Sequence, residues 1–236
     1  MCGRFTLTNP RRLVEAGFGE LAVADGEVPA RFNIAPSQPV LVLPNREPRA
    51  LDAFRWGLIP YWAKDERIGA KLINARAETV SEKPAFRRAF AKRRCLVPAD
   101  GFFEWEKKHG RGKKTPIYIR RRDGQLFAFA GLWEVWRPKG RDPVHSCTII
   151  TTEPNALVAP IHDRMPAMLL PEDYERWLDP DPQTDDGLTE LLRPYPAELL
   201  EAYAVDPQVN SPQLDAPECI EPVAHTSRTP EQQKLF

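Results

Sequence analysis

Leu126-Phe127-Ala128-Phe129-Ala130-Gly131-Leu132 is the stretch of this sequence that indicates the fold most clearly. A short run of apolar and aromatic residues is typical of a β-strand. Cys147–Thr152 and Ile117–Ile119 are rich in β-branched and aromatic side chains, and we predict a strand in each. These three segments make β-sheet the main element in the middle of the chain.

Weaker signals extend this pattern in both directions. Pro39–Leu43 is predicted as a strand, and Leu51–Leu58 is a less regular strand candidate. Strands fill the first two thirds of the chain and helices the last third, so the predicted class is a β-rich α+β fold. Short helices are predicted at five places: from Asn9 and Pro10 to Phe18, at Lys83–Arg93, from Leu170 to Leu178, at Gly187–Leu192 and at Ala197–Ala202.

The composition limits the classes of protein to consider. The chain has 236 residues, of which 42% are hydrophobic and 28% charged, which is ordinary for a soluble globular protein. Its 25 prolines argue against a helix bundle, because proline breaks helix interiors. With no run long enough for a membrane helix and no signal peptide, we expect a cytoplasmic protein with no membrane partner. We expect one domain over residues 1–220 and a polar tail over 221–236.

The cysteines and histidines give no sign of a metal site. No Cys-x-x-Cys pair occurs and the four histidines are scattered, so neither a zinc site nor another cofactor is predicted. The four cysteines are expected to be reduced thiols: Cys2, Cys95, Cys147 and Cys219.

Charge is balanced overall but not along the chain. The 33 basic residues equal the 33 acidic ones, yet the segment 83–122 has 14 Lys and Arg against three acids. The segment 172–206 has 11 acids against two arginines. This asymmetry allows a basic face opposite an acidic one, although two solvated surfaces without a partner would give the same counts.

Cys2 becomes an N-terminal cysteine if Met1 is removed. Its α-amine would then have a pKa of about 7.7–8.0, so a sizeable fraction is a neutral nucleophile at physiological pH. The amine and the thiol of one residue can attack the same aldehyde in succession, first as a Schiff base and then as a five-membered thiazolidine. The alternative is an ordinary cysteine at a processed terminus.

Three further segments carry polar groups in apolar surroundings. Asn74 and Arg76 lie two residues apart, on one side of an extended chain. Glu104 stands between bulky aromatics, which can raise the pKa of a carboxyl and suit it to acid–base catalysis. His162 places a titratable imidazole in a proline-bounded loop. Each also has a structural explanation: a turn asparagine, an arginine partner and a loop histidine.

Six motifs occur along the chain in this order: Cys2–Phe5, Arg31–Pro36, Trp56–Pro60, Asn74–Thr79, Arg94–Trp105 and Ile161–Pro166. Together they resemble the SOS-response-associated peptidase family, whose members process abasic sites. The resemblance runs from about Cys2 to Pro217 and includes a cysteine at position two. It implies a compact β-rich α+β domain with barrel-like antiparallel sheets, peripheral short helices and a basic groove.

The resemblance implies a sensor that crosslinks itself to abasic sites in single-stranded DNA and shields them. Cys2, once Met1 is removed, would form a thiazolidine with the open sugar aldehyde. Glu104 would act as a proton shuttle, His162 would assist proton transfer at the sugar hydroxyl, and Asn74 would hold the sugar or the Cys2 backbone.

The same resemblance implies a set of DNA-binding residues. Three arginines are expected to contact phosphates without reading sequence, two residues to shape the channel and one to stack where the strand bends. The expected phosphate contacts are Arg4, Arg76 and Arg164. Asn33 and Pro36 are expected to shape the channel, and Trp62 is expected to stack on a base.

Two other functions stay open at this point. One is a cysteine peptidase that acts on Met1 or other substrates, and the other is a non-covalent single-stranded DNA-binding module. Because each molecule would react with an abasic site only once, the crosslinking reaction needs no second subunit, and we expect a monomer.

The last five residues, with Gln232, Leu235 and Phe236, resemble the short peptide by which bacterial proteins dock on the replication sliding clamp.

Overall fold

The computed structural model describes residues 2–18, 28–106, 114–181 and 185–223. Within these ranges the strands are β1 (Phe5–Leu7), β2 (Arg31–Ile34), β3 (Pro39–Pro44), β4 (Asp52–Trp56), β5 (Asn74–Arg76), β6 (Arg94–Ala99), β7 (Gly101–Glu106), β8 (Thr115–Arg121), β9 (Phe127–Trp136), β10 (Val144–Thr152), β11 (Met165–Pro166), β12 (Met168–Leu169) and β13 (Leu200–Ala204). The α-helices are α1 (Arg87–Lys92), α2 (Tyr174–Leu178) and α3 (Asp185–Thr189). Short 3-10 helices are Pro10–Arg12, Glu66–Lys71, Ala77–Thr79, Pro171–Asp173, Ala197–Leu199, Pro207–Asn210 and Pro217–Ile220.

Five strands of the larger sheet close into a barrel. The order runs from β10 through β4, β3, β6 and β9, and β9 pairs again with β10. β5 and β11 also pair with β10, and β12 pairs with β9. The β-rich α+β class and its barrel-like sheet are confirmed. The pairing is antiparallel except at β10, where β4 and β5 run parallel to it, a feature that the sequence analysis did not predict.

The second sheet has five strands in the order β13-β8-β7-β1-β2, all antiparallel. Aromatic rings join it to the barrel. The Phe5 ring meets Phe129 edge-on with centroids 5.7 Å apart, and Phe102 meets Phe129 at 6.0 Å. Phe129 lies in the stretch that opened the sequence analysis, and its neighbours in β9 are fully buried, so the buried strand predicted there is confirmed.

The turn between β6 and β7 is fixed by a polar network around Asp100. Its carboxylate accepts hydrogen bonds from the Thr6 hydroxyl (2.5 Å) and from the Thr8 N–H (2.5 Å) and hydroxyl (2.7 Å). The Thr6 hydroxyl also lies 2.8 Å from the Tyr118 hydroxyl. Gly101 follows, and a Cβ there would overlap the Tyr118 ring and hydroxyl. These contacts align β1 with β7, the pair of strands that carries the N-terminus.

The helix predictions have mixed outcomes. α1 lies inside the predicted segment, with Phe86 and Phe90 buried and Arg87 and Arg88 exposed, as expected. The first predicted helix is only a 3-10 turn, Pro10–Arg12, without a side-chain cap from Asn9.

The helix predicted at Ala197–Ala202 is wrong beyond Leu199. Leu200–Ala204 forms β13 and pairs with β8, so tertiary pairing at a sheet edge overrides the local preference. The Arg120 Nε donates to Glu201 across this pair (2.7 Å), so the basic and the acidic segments partly neutralise each other there.

Residues 205–223, here called the C-terminal strap, cover the outer face of the five-stranded sheet. Val205, Val209 and Cys219 are buried in a second apolar cluster with Phe103 and Tyr118. Pro222 forms a β-bridge with Val205, so residues at the start of the predicted tail are attached to the sheet. Gln232, Leu235 and Phe236, the residues of the predicted clamp peptide, lie outside the described residues.

In the ranges that the structure describes, no helix is long and apolar enough to cross a membrane. The same ranges contain no group of three or more His, Cys, Asp or Glu side chains that could hold a metal ion.

Candidate functional site

Cys2 and Glu104 come together where β1 and β7 pair. Phe5 pairs with Phe102, so the residues before Phe5 run antiparallel to those after Phe102 and pass Glu104. Glu104 lies two residues beyond Phe102 and shares its face of the strand, which is the face of the main core. Cys2 belongs to that same core cluster.

Burial raises the pKa values of both the Cys2 thiol and the Glu104 carboxyl. Cys2 is 0% exposed and Glu104 is 2% exposed. Burial raises the pKa of the Glu104 carboxyl to about 7. Burial, and after it the negative charge of Glu104, raises the pKa of the Cys2 thiol far above its usual range. At neutral pH the thiol keeps its proton, while the carboxyl is near half ionisation and can both give and take a proton.

Asn74 is connected to the N-terminal strand through Trp56. The Asn74 Nδ2 donates to the Ile73 carbonyl (2.9 Å), which also accepts the indole N–H of Trp56 (2.9 Å). The Trp56 ring meets Phe5 edge-on, with centroids 5.2 Å apart. The Asn74 Oδ1 is buried and has no hydrogen-bond donor among the described residues. It is therefore an acceptor that a ligand or a freed amine can use.

His162 lies in the loop before β11 and is mostly buried. Its Nδ1 is 3.0 Å from the Arg164 N–H, from which the neutral ring accepts a hydrogen bond. The same Nδ1 is 3.0 Å from the Asp163 Oδ1, to which a protonated ring can donate. The imidazole thus has a partner for each of its protonation states. The charge of Asp163 is a smaller contribution than burial to the raised pKa of Glu104, so this loop is within electrostatic reach of the carboxyl.

Arg164 is held by three hydrogen bonds to two protein groups. Its guanidinium donates two hydrogen bonds to Glu78 (2.6 and 2.9 Å) and one to the Thr151 carbonyl (2.6 Å). These bonds hold the pKa of Glu78 below its usual range. Arg76, on β5, is exposed. Of these two predicted phosphate contacts, Arg76 is the one that solvent reaches readily.

Arg4 and Asn33 attach the C-terminal strap to the five-stranded sheet. The Arg4 guanidinium donates to the Asn33 Oδ1 (2.7 Å) and to the carbonyls of Val209 (2.8 Å) and Asn210 (3.0 Å). Asn33 is fully buried, and its Nδ2 donates to carbonyls of the C-terminal strap. A part for Asn33 in DNA binding would therefore be indirect, through the position of Arg4, and the DNA contact of Arg4 stays a prediction.

The exposed aromatics lie in the loop after Gly57. Trp62 is 48% exposed and Tyr61 is 51% exposed, while Pro36 is half-buried. The Arg88 guanidinium of α1 stacks on the Tyr61 ring, 4.2 Å from its centroid. This stacking brings the basic helix beside the aromatic loop.

A groove of about 510 Å³ adjoins Trp62. Near this loop the backbones of Gly57 and Gly69 approach closely, since a Cβ on Gly57 would lie 2.7 Å from the Gly69 carbonyl oxygen. The groove is lined by Trp62, Ala63, Lys64, Asp65, Arg67, Ile68 and Lys71. Arg67 is ion-paired with Asp65 across this lining, since its Nε donates to the Asp65 carboxylate at 2.7 Å. An aromatic ring beside the lysines Lys64 and Lys71 suits a single nucleic-acid strand.

Four residues at this site were missed by the sequence analysis as functional candidates: Glu78, Asp163, Tyr61 and Arg88. Glu78 and Asp163 stand inside motifs that had been quoted, but nothing in the sequence indicated which side chains they face. Tyr61 belongs to the aromatic loop 56–62, which could stack on nucleobases if exposed or form part of the core if buried, and only Trp62 was named from it as a site residue. The structure exposes Tyr61 as well.

A sequence model of the SOS response associated peptidase (SRAP) family matches residues 1–212. The chain belongs to the SRAP family. The abasic site processing protein YoqW of Bacillus subtilis is 47% identical over 223 residues, which are 94% of this chain and 99% of that protein. The abasic site processing protein HMCES of Gallus gallus is 34% identical over 197 residues, 74% of this chain and 58% of that protein.

Solved structures agree with this SRAP assignment at the level of the fold. The crystal structure of a protein from Bacteroides thetaiotaomicron matches with a TM-score of 0.84 at 29% identity, over 94% of this chain and all of that one. A protein from Bordetella bronchiseptica matches with a TM-score of 0.73 at 28% identity, over 87% of this chain and all of that one. The resemblance stated from the motifs is therefore confirmed for the family.

Proposed function

We propose that this SRAP protein processes abasic sites in single-stranded DNA by forming a covalent bond through Cys2. The single observation that carries the proposal is the burial of Cys2 beside Glu104, a carboxyl with a pKa of about 7. The names of the relatives, which are abasic site processing proteins, support the substrate.

The reaction begins with the α-amine. Hydrolysis of the Met1–Cys2 peptide bond consumes one water and frees the amine, a step that we assign to the protein itself. The amine nitrogen then attacks C1′ of the open-chain sugar, and the aldehyde oxygen becomes the hydroxyl of a carbinolamine. Loss of this hydroxyl as water gives the imine.

The thiol completes the reaction. Its sulfur adds to the imine carbon, the thiol proton goes to the nitrogen by way of a base, and a five-membered thiazolidine results. From amine and aldehyde onward the balance is one adduct and one water. The raised pKa of the thiol keeps it protonated, so the amine reacts first and the thiol needs a base at the moment of attack.

Glu104 is the group that moves these protons. In its neutral form it protonates the departing hydroxyl of the carbinolamine, and as a carboxylate it accepts the thiol proton. A pKa of about 7 makes both forms abundant at neutral pH. His162, held between Arg164 and Asp163, serves the sugar hydroxyl during ring opening. The buried Oδ1 of Asn74 accepts from the freed amine or from the sugar.

The DNA strand is held by positive charge and stacking. We assign the aromatic stacking to Trp62 and a phosphate contact to Arg76, which are the most exposed of the predicted DNA-binding residues. Arg4 and Arg164 stay assigned to phosphate contacts and Pro36 to the shape of the channel, because the motif resemblance implies these roles. Contacts to phosphates would bind the strand without reading its sequence.

A denaturing gel of the protein with an abasic oligonucleotide tests the proposal. Wild type and Cys95→Ala are expected to give a shifted covalent band, and Cys2→Ala none. Cys95 is a matched control, because it is also a fully buried cysteine, with a thiol pKa likewise raised by burial. Non-covalent binding without a band in wild type would contradict the proposal and support a single-strand binding module.

The remaining expectations follow from this function. We propose a monomer that acts in the cytoplasm on the nucleoid, with one SRAP domain over residues 1–220.

Docking of the last five residues on a sliding clamp stays a prediction, and equal clamp binding with and without those residues would contradict it. Peptidase activity on other substrates would appear as cleavage of added peptides, which we do not expect.

A further inference from the structure

Asn210 of the C-terminal strap touches both strands that carry the reacting groups. Its main-chain carbonyl accepts from the Arg4 Nη2 at 3.0 Å. Its side-chain Oδ1 accepts from the indole N–H of Trp105 at 2.7 Å. Arg4 is two residues from Cys2, and Trp105 is next to Glu104. One strap residue therefore bridges the chain beside the nucleophile and the chain beside the acid–base carboxyl.

The strap itself is firmly attached to the sheet. Val209, one residue before Asn210, is fully buried in the second apolar cluster. The Asn33 Nδ2 donates to the carbonyls of Val209 (3.1 Å), Ser211 (3.0 Å) and Leu214 (2.7 Å). The Asp215 carboxylate accepts from the Asn33 N–H at 2.9 Å. Asn210 is thus presented from a fixed backbone and not from a free loop.

Cys2 needs such a bridge because it lies beyond the end of the pairing between β1 and β7, whereas Glu104 is held inside β7 by its pairing with Ile117 of β8. β1 begins at Phe5, three residues after Cys2, and the ladder between β1 and β7 covers Phe5 and Thr6 only. Beyond it on the side of Cys2, the Phe103 N–H donates to the Arg4 carbonyl at 3.0 Å.

We propose that Asn210 is a positioning residue, which joins Arg4 to Trp105 across the sheet face and so fixes the separation of Cys2 from Glu104. This inference rests on the proposed crosslinking function. Asn210 touches neither reacting group, so its effect is on the geometry in which the carboxyl serves the nucleophile.

The test uses the full chain, single-stranded abasic DNA at saturating concentration, and single-turnover crosslinking rates. Asn210→Ala removes the acceptor and Trp105→Phe removes the donor. Each is expected to slow crosslinking by about fivefold, the effect of one lost hydrogen bond between uncharged groups. The double variant is expected to be no slower than either single variant, since both remove the same contact.

Two controls separate positioning from a general structural role. Asn210→Asp keeps an acceptor for the indole and is expected to restore the wild-type rate. Gln213→Ala removes another strap hydrogen bond, from the Ser211 hydroxyl (2.6 Å), without touching Arg4 or Trp105, and is expected to crosslink like wild type.

The outcomes distinguish this inference from the function on which it rests. No covalent band with wild type would contradict the crosslinking function itself. Normal crosslinking by wild type and equal rates for Asn210→Ala would overturn the positioning role alone. Weaker binding of an undamaged oligonucleotide by Asn210→Ala, with an unchanged rate at saturation, would also overturn it, because Asn210 would then be a DNA contact.

Discussion

The negative charge of Glu104 raises the pKa of the Cys2 thiol, which burial has already raised. The same burial raises the pKa of Glu104 itself to about 7. The pair therefore holds its protons at neutral pH more tightly than either group would in water. For a reaction that loses water and then moves a thiol proton, this arrangement supplies a nearby acid and, after ionisation, a nearby base.

Replacing Glu104 by glutamine should slow crosslinking by about 100-fold, the lower end of what a positioned acid–base group contributes. The wild-type rate should be bell-shaped, with a maximum between about pH 7 and 8, because the amine must be neutral and the carboxyl protonated. The crosslinking rate of Glu104→Gln should not decrease at alkaline pH. Single-turnover rates from pH 5 to 9 measure this, and an unchanged alkaline fall would assign it to another group.

Glu104 should also make stability depend on pH. Its folded pKa of about 7 exceeds the usual value, about 4.3, so the folded state binds more protons between these values. The contribution of Glu104 to the free energy of unfolding should therefore be complete below about pH 4.3 and fall by about 3 kcal/mol as the pH rises to 7. Urea unfolding of wild type and Glu104→Gln at each pH checks this. The variant should lack that fall, and parallel curves would contradict the prediction.

Gly101→Ala should destabilise the fold by more than about 3 kcal/mol, since the added Cβ would overlap the buried Tyr118 side chain. Gly124→Ala is the control. Gly124 has open space around its Cβ position and a φ of +64°, so only backbone strain of about 1 kcal/mol is expected. Thermal unfolding of both variants gives the comparison, and equal losses would show that crowding at Tyr118 is unimportant.

Trp62→Ala should weaken binding of undamaged single-stranded DNA by about 1–3 kcal/mol, the contribution of one stacked base. Leu199→Ala, which removes another exposed apolar side chain away from the groove, should bind like wild type. Fluorescence anisotropy with a labelled oligonucleotide measures both. Equal affinities for Trp62→Ala and wild type would place the strand elsewhere on the surface.

The sequence predicts the strands best where burial is complete. Residues 127–132 of the predicted strand at 126–132 lie in β9, whose residues 127–130 are fully buried, because an apolar run fits a strand covered on both faces. It predicts β13 poorly, since that segment becomes a strand only through pairing with the edge of β8. It also does not reveal the two parallel pairings of β10, which depend on where distant segments meet.

The residues of the candidate site could be predicted from the sequence, but their long-range contacts could not. The motif resemblance names Cys2, Asn74, Glu104 and His162, and the pairing of β1 with β7 brings the first and third of these together. The hydrogen bonds from Arg4 to the strap could not be predicted, because the carbonyls of Val209 and Asn210 lie more than 200 residues away in sequence. Long-range contacts of this kind leave no local pattern in a sequence.

Intact-mass and peptide mass spectrometry of the crosslinked product tests the central claim most directly. The account predicts a species with the mass of the protein without Met1, plus the abasic oligonucleotide, minus one water, with the modification on the peptide that begins at Cys2. That species should resist borohydride, since a thiazolidine has no imine to reduce. An adduct on a lysine or on Cys95, Cys147 or Cys219, or an adduct that retains Met1, would contradict the account.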